Sequence, residues 1–156
     1  MEKIYSLADE QVTTAWGKAI GSCIPNENSI ALCGEMGAGK THLVKGIALG
    51  MGIEDTITSP TFTICNQYIC QDRVLNHFDL YRLEDVEELY GIGFYEMFYD
   101  SVTVVEWADL FAEELPANSV WIELSKESPT ERRMKVRVPE TAKDWWKEVE
   151  AYVVSH

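Results

Sequence analysis

Basic residues are scarce in this sequence: thirteen lysines and arginines stand against 26 carboxylates, a formal charge of −13. A protein that grips a nucleic-acid backbone draws its affinity from cations that neutralise phosphates, so direct, unaided nucleic-acid binding is not expected. The deficit is concentrated. From Asp72 to Glu114 only Arg73 and Arg82 offset twelve acids, which fits either a solvated acidic face or a surface that docks on a basic partner. Long apolar runs are missing too. Nothing approaches the roughly 20 residues of a membrane span, and Met1-Glu2-Lys3-Ile4-Tyr5 has neither the basic nor the apolar region of a secretory leader. The expectation is a cytoplasmic protein with no membrane contact. The four cysteines, Cys23, Cys33, Cys65 and Cys70, form no CxxC pair and no Cys/His cluster of zinc-finger spacing, so reduced, buried or half-buried thiols are expected.

The 156 residues, 46% of them hydrophobic, suit one globular domain spanning 1–156, without repeats or low-complexity linkers. The S-x-x-D spacing of Ser6 to Asp9 marks a helix start, and Val12, Ala15, Trp16, Ala19 and Ile20 then give a helix over 7–22 one apolar face. A short buried strand follows at 29–33 and a helix at 40–51. Residues 63–69 and 74–80, joined at Gln71-Asp72, read as an antiparallel hairpin. Short helices are expected at 84–90 and 94–99, a helical turn or two at 108–115, strands at 102–106, 120–124 and 134–138, and a last helix over 141–154 capped by Thr141 to Asp144. The class is α/β: a mixed, mostly parallel sheet flanked by helices, with an antiparallel hairpin.

The sharpest signal is Gly34-Glu35-Met36-Gly37-Ala38-Gly39-Lys40-Thr41, a complete G-x-x-x-x-G-K-[ST] phosphate-binding loop set between an apolar strand and a helix. Its glycines let backbone N–H groups turn toward phosphate oxygens, and the helix adds its positive end. Lys40 then reaches the β- and γ-phosphates and the Thr41 hydroxyl offers a magnesium ligand. Such a loop needs acids delivered by buried strands. Val102-Thr103-Val104-Val105-Glu106 ends in one, and His77-Phe78-Asp79 supplies another. Between them they cover a place on the Mg²⁺ shell and the orientation of an attacking water, without a division of the two roles. Ser59-Pro60-Thr61-Phe62 reads as a Pro turn or as a switch that senses the γ-phosphate. Trp107 fits a core aromatic or a lid, and His42 and His77 read as structural.

In series, Asp9-Glu10-Gln11 with Thr13 and Gly17, the loop, Ser59 to Phe62, His77-Phe78-Asp79-Leu80-Tyr81-Arg82-Leu83, Glu87-Glu88-Leu89, Gly91-Ile92 and Val105-Glu106-Trp107 resemble the bacterial TsaE family over about residues 7–138. The resemblance implies a P-loop ATPase fold that binds ATP or ADP with Mg²⁺. It implies TsaD and TsaB as partners, with tRNA engaged only through that complex, which places a threonylcarbamoyl group on an adenosine of ANN-decoding tRNAs. The member of this family is not the transferase; it supports repeated turnover by ATP-driven remodelling. Carried onto this chain, Glu35 to His42 contact nucleotide, Thr41, Asp79 and Glu106 lie at the metal, and Lys40, Asp79 and Glu106 serve hydrolysis. Thr13 lies near the nucleotide through the N-terminal segment, and Arg132, or equally its neighbour Arg133, contacts it. The segment after Pro139 is outside the match. The main alternative is a small-molecule or nucleotide kinase. Such an enzyme would want several lid arginines, and only Arg73, Arg82, Arg132, Arg133 and Arg137 exist here. An ATP-dependent interaction module with negligible hydrolysis is the second. The absence of an N/T-K-x-D motif favours ATP over GTP.

Overall fold

The computed structural model describes residues 1–156. Seven strands form one sheet: β1 (Glu2–Leu7), β2 (Ser29–Gly34), β3 (Cys65–Cys70), β4 (Arg73–Asp79), β5 (Val102–Glu106), β6 (Val120–Lys126) and β7 (Arg132–Arg137). Their spatial order is β1-β7-β6-β2-β5-β4-β3. The central four, β6-β2-β5-β4, are mutually parallel; the pairings β1–β7, β6–β7 and β3–β4 are antiparallel. The sheet is therefore mixed, with a parallel centre and antiparallel margins. The expected hairpin is β3–β4, turning at Gln71, which takes a left-handed φ of 56°.

The helices are α1 (Glu10–Cys23), α2 (Lys40–Gly50), α3 (Val86–Gly91) and α4 (Lys143–Ser155). The span expected as a helix at 94–99 is a single 3₁₀ turn, Glu96–Phe98, and the helical turns expected at 108–115 are 3₁₀ turns over Ala108–Glu114, broken at Phe111. Period-2 alternation puts Leu32, Leu75, Val104, Ile122 and Met134 on the face covered by α1, α2 and α4, in the larger core. Ala31, Cys33, Phe78 and Val105 face the other way, under Leu89 and Phe94.

At both ends of the chain the elements depart from the sequence expectation. Residues 2–7 are a strand, and α1 starts at Glu10: Asp9 itself is the N-cap, its carboxylate accepting from the Val12 N–H at 2.9 Å. Ser6 pairs with Arg133 in the sheet, so the S-x-x-D spacing is not a capping box here. The last helix begins at Lys143 after a 3₁₀ turn, and no side chain caps it.

The crossing of α1 and α2 sets the position of the phosphate loop. Gly17 and Gly21 on α1 face Gly46 and Gly50 on α2. A Cβ added at any of them would fall 2.0–2.3 Å from a backbone oxygen of the other helix. Glycines four apart share one helical face, so two bare stripes let the backbones touch. α4 then closes the same layer. Trp146 packs on Tyr5 and Trp16 and donates its indole N–H to the Tyr5 hydroxyl at 3.0 Å. That hydroxyl donates in turn to Glu150 at 2.7 Å.

Candidate active site

The cleft lies at the carboxyl ends of the parallel strands, where open α/β sheets bind ligands. Gly34 ends β2 with φ 144°, and a Cβ there would stand 2.5 Å from the Leu124 carbonyl. Gly37 and Gly39 follow at φ 82° and 98°, values that side chains rarely adopt. The chain so turned enters α2, whose first backward hydrogen bond is Leu43 N–H to the Gly39 carbonyl at 3.2 Å. The preceding N–H groups at the helix start have no intrahelical acceptor, which makes a ready anion site.

Lys40 is buried and donates to the Gly34 carbonyl at 2.6 Å. Its ammonium also lies 4.1 Å from the centre of the Trp107 ring, a cation–π arrangement. Trp107 reaches this position because it leaves β5 in a left-handed conformation, φ 57°, and Tyr81 supports its ring at 4.8 Å. Trp107 thus lines the cleft on one side while it packs against the smaller core on the other. Two of an ammonium's three donor directions stay free of hydrogen bonds.

The acids come together through sheet register. Asp79 and Glu106 are Cα partners at the ends of the adjacent parallel strands β4 and β5, and both line the cleft with Lys40 and Thr41. They are almost fully buried, at 3% and 5% exposure. Asp79 Oδ1 accepts the Tyr81 N–H at 2.9 Å, and Oδ2 accepts the Thr61 hydroxyl at 3.0 Å. Thr61 is itself linked to the Ser59 hydroxyl at 2.7 Å. The Ser59–Phe62 segment is thus tied to Asp79 through Thr61. Glu106 Oε2 is 2.5 Å from His77 Nε2.

The other expected residues divide. Gly37, Gly39, Met36 and His42 line the cleft, and His42 pairs with Glu10 at 3.4 Å. Glu35 is exposed in the loop, and Ala38 points its methyl into the core. Arg132 stands over the loop, donating to the Gly37 carbonyl at 3.1 Å. Arg133 alternates to the opposite side of β7 and is exposed, so Arg132 is the residue at the cleft. Thr13 does not line it. Its side chain is 1% exposed and turned back to the Asp9 carbonyl at 3.3 Å, while Glu10, on the preceding turn, occupies the rim. Sequence reasoning missed the pairings Glu10–His42 and His77–Glu106; no local spacing signals either.

The cleft has a volume of about 420 Å³, within the usual range for a small-molecule site. An anchored ammonium, a free hydroxyl, free helix N–H groups and two adjacent carboxylates form a donor set suited to a nucleotide polyphosphate with a divalent cation.

The model of the family "Threonylcarbamoyl adenosine biosynthesis protein TsaE" matches residues 7–134. A protein of Treponema pallidum (strain Nichols), described as tRNA threonylcarbamoyladenosine biosynthesis protein TsaE, is 43% identical over 115 residues, 73% of this chain and 84% of its own. A protein of the same description from Bacillus subtilis (strain 168) is 41% identical over 131 residues, 83% of this chain and 82% of its own. The crystal structure of Bacillus subtilis YdiB superposes with a TM-score of 0.79 at 26% identity, covering 97% of this chain and 96% of that one. With most of its length matched by the family model and its fold shared from end to end with that structure, this chain belongs to the TsaE family of P-loop NTPases.

Proposed function

We propose that this protein is a Mg²⁺-dependent ATPase that sustains repeated turnover of a TsaD–TsaB complex in threonylcarbamoyladenosine modification of ANN-decoding tRNAs. The observation that carries the ATPase part is the register match of Asp79 and Glu106 beside Lys40 and Thr41. In this reading Lys40 turns toward the β- and γ-phosphates, and the free N–H groups at the start of α2 hold the remaining phosphate oxygens. Thr41, Asp79 and Glu106 would hold the magnesium and order the attacking water. Magnesium, when bound, would act as a Lewis acid on the phosphate oxygens. Arg132 and Glu10 both line the cleft and would bound the nucleotide.

The Thr61–Asp79 bond supports a switch. A ligand that drew Asp79 toward a metal would compete with Thr61 for the same carboxylate, and the Ser59–Phe62 segment would respond. Phe62 at its end is 83% exposed, so any such movement is presented at the surface, where a partner can read it. The kinase alternative is disfavoured by the cleft itself: Arg132 is its only arginine. Arg73 instead binds the carbonyl of Ile24, Arg82 lies over Phe62, and Arg137 over Trp121.

The test is tRNA modification by TsaD–TsaB under single- and multiple-turnover conditions, with and without this protein. The proposal expects equal first turnovers and a requirement for the protein in later ones. Equal multiple turnover in its absence would refute the pathway role.

A further inference from the structure

His77 precedes Asp79 by two residues on β4, so the two side chains leave the same strand face. Glu106 lies beside Asp79 on β5, diagonal to His77. The His77 Nε2 to Glu106 Oε2 distance is 2.5 Å, between side chains only 2% and 7% exposed. It is the one side-chain hydrogen bond Glu106 makes, and its other oxygen, Oε1, has no partner within the chain.

The far side of the ring decides where its proton sits. His77 Nδ1 is buried and has no hydrogen-bond partner. A buried N–H with nothing to receive it is rarer and more costly than a buried lone pair left empty. The proton belongs on Nε2, directed at Glu106, with Nδ1 a bare acceptor. Nε2–H is then the ring's one directed donor, fixed by burial of the ring between strands.

We infer that His77 is a positioning residue: through Nε2–H it holds Glu106 Oε2 and turns Oε1 alone toward the magnesium and water of the cleft. This rests on the reading of the cleft as an ATPase site. Carboxylates that ligate metals commonly depend on such a partner, whose loss costs about 10–100-fold in activity or metal affinity. The bland alternative is a core histidine that merely satisfies a buried acid, in which case its loss shows in stability and not in turnover.

Two experiments on the full chain separate these. Long-range ¹H–¹⁵N correlation on the ¹⁵N-histidine-labelled protein, with His77 assigned by its absence in His77→Gln, should give the Nε2–H tautomer. A ring protonated at Nδ1 would overturn the inference. In ATP hydrolysis, His77→Leu should lower kcat at least about tenfold with KM within about twofold. His77→Gln, whose amide N–H reaches the same point, should recover most of that loss. Because His77 acts through Glu106, adding His77→Leu to Glu106→Gln should cause no further fall. Full activity in His77→Leu, or equal loss in the Leu and Gln variants with a matching fall in Tm, would overturn the role. If Lys40→Ala hydrolyses ATP like the parent, it is the ATPase reading that fails, and the tautomer result stands independently.

Discussion

Replacing Gly46 by alanine should destabilise this protein even though alanine is the better helix former. A methyl group there would lie 2.3 Å from the Thr14 carbonyl oxygen, 2.9 Å from Gly17 Cα and 3.0 Å from Lys18 N. All three are backbone atoms of α1, so no rotamer change relieves the clash. Ordinary carbon–oxygen approach begins near ~3.3 Å, so α1 and α2 must part by roughly 1 Å. Overpacking of this kind costs about 1–3 kcal/mol, and rigid backbone on both sides puts Gly46 at the upper end. Against it stands a helix-propensity gain of about 1 kcal/mol, leaving a net loss near ~2 kcal/mol. For a domain of this size each kcal/mol moves Tm by about 2–4 °C, so thermal unfolding followed by circular dichroism should show a fall of about 4–8 °C. Gly91→Ala is the control: a Cβ there meets nothing within 4 Å, and its Tm should be unchanged or slightly higher. A Gly46→Ala variant as stable as the parent would refute the idea that the glycine stripes set the helix crossing.

The acids and the arginine give separable outcomes. Glu106→Gln and Asp79→Asn should each slow ATP hydrolysis by about tenfold or more, roughly 1.4 kcal/mol or more of barrier, measured as phosphate release at saturating ATP and magnesium. An effect in one variant only would split the roles paired here. Arg132→Ala should weaken ATP binding by calorimetry, because Arg132 reaches the loop at Gly37, whereas Arg133→Ala should leave it unaltered; the reverse order would reassign the contact. Among the cysteines, burial and the nearby Asp109 carboxylate push the Cys33 thiol up to about 12, and burial pushes Cys65 up to about 11. Since the thiolate is the nucleophile, both should resist alkylation in native protein at pH 8 and gain reactivity as pH rises toward those values. Rapid native labelling of Cys33, read by mass spectrometry, would contradict its placement.

The phosphate loop was legible because it is local: eight consecutive residues carry both the glycine geometry and the chemistry. Asp79 and Glu106 were legible one at a time, as carboxylates ending apolar strands, but their pairing is a matter of register between strands 27 residues apart in sequence. That register depends on the whole sheet. Residues 2–7 were missed as a strand because β1 is an edge with exposed Glu2, Ile4 and Ser6, stabilised by pairing with residues at the far end of the chain, Arg132 to Arg137. The Ser6–Asp9 spacing then offered a local alternative that tertiary structure overrode. Trp107 was undecidable from sequence, since its direction depends on a left-handed turn just after β5. Thr13 and Glu10 lie within one turn of α1, and choosing between them requires the direction in which α2 packs. The helix crossing does leave a trace in the sequence: Gly17 and Gly21, like Gly46 and Gly50, stand four apart on their helices, a spacing that marks close approach.

In the proposed function, Lys40 and the loop around it hold the phosphates of ATP with magnesium. Calorimetric titration of the parent protein and of Lys40→Ala with a non-hydrolysable ATP analogue, with and without Mg²⁺, tests it most directly. The account predicts saturable, magnesium-enhanced binding by the parent and loss of binding in Lys40→Ala, with both unfolding cooperatively at similar Tm. Equal binding by the two proteins would contradict it.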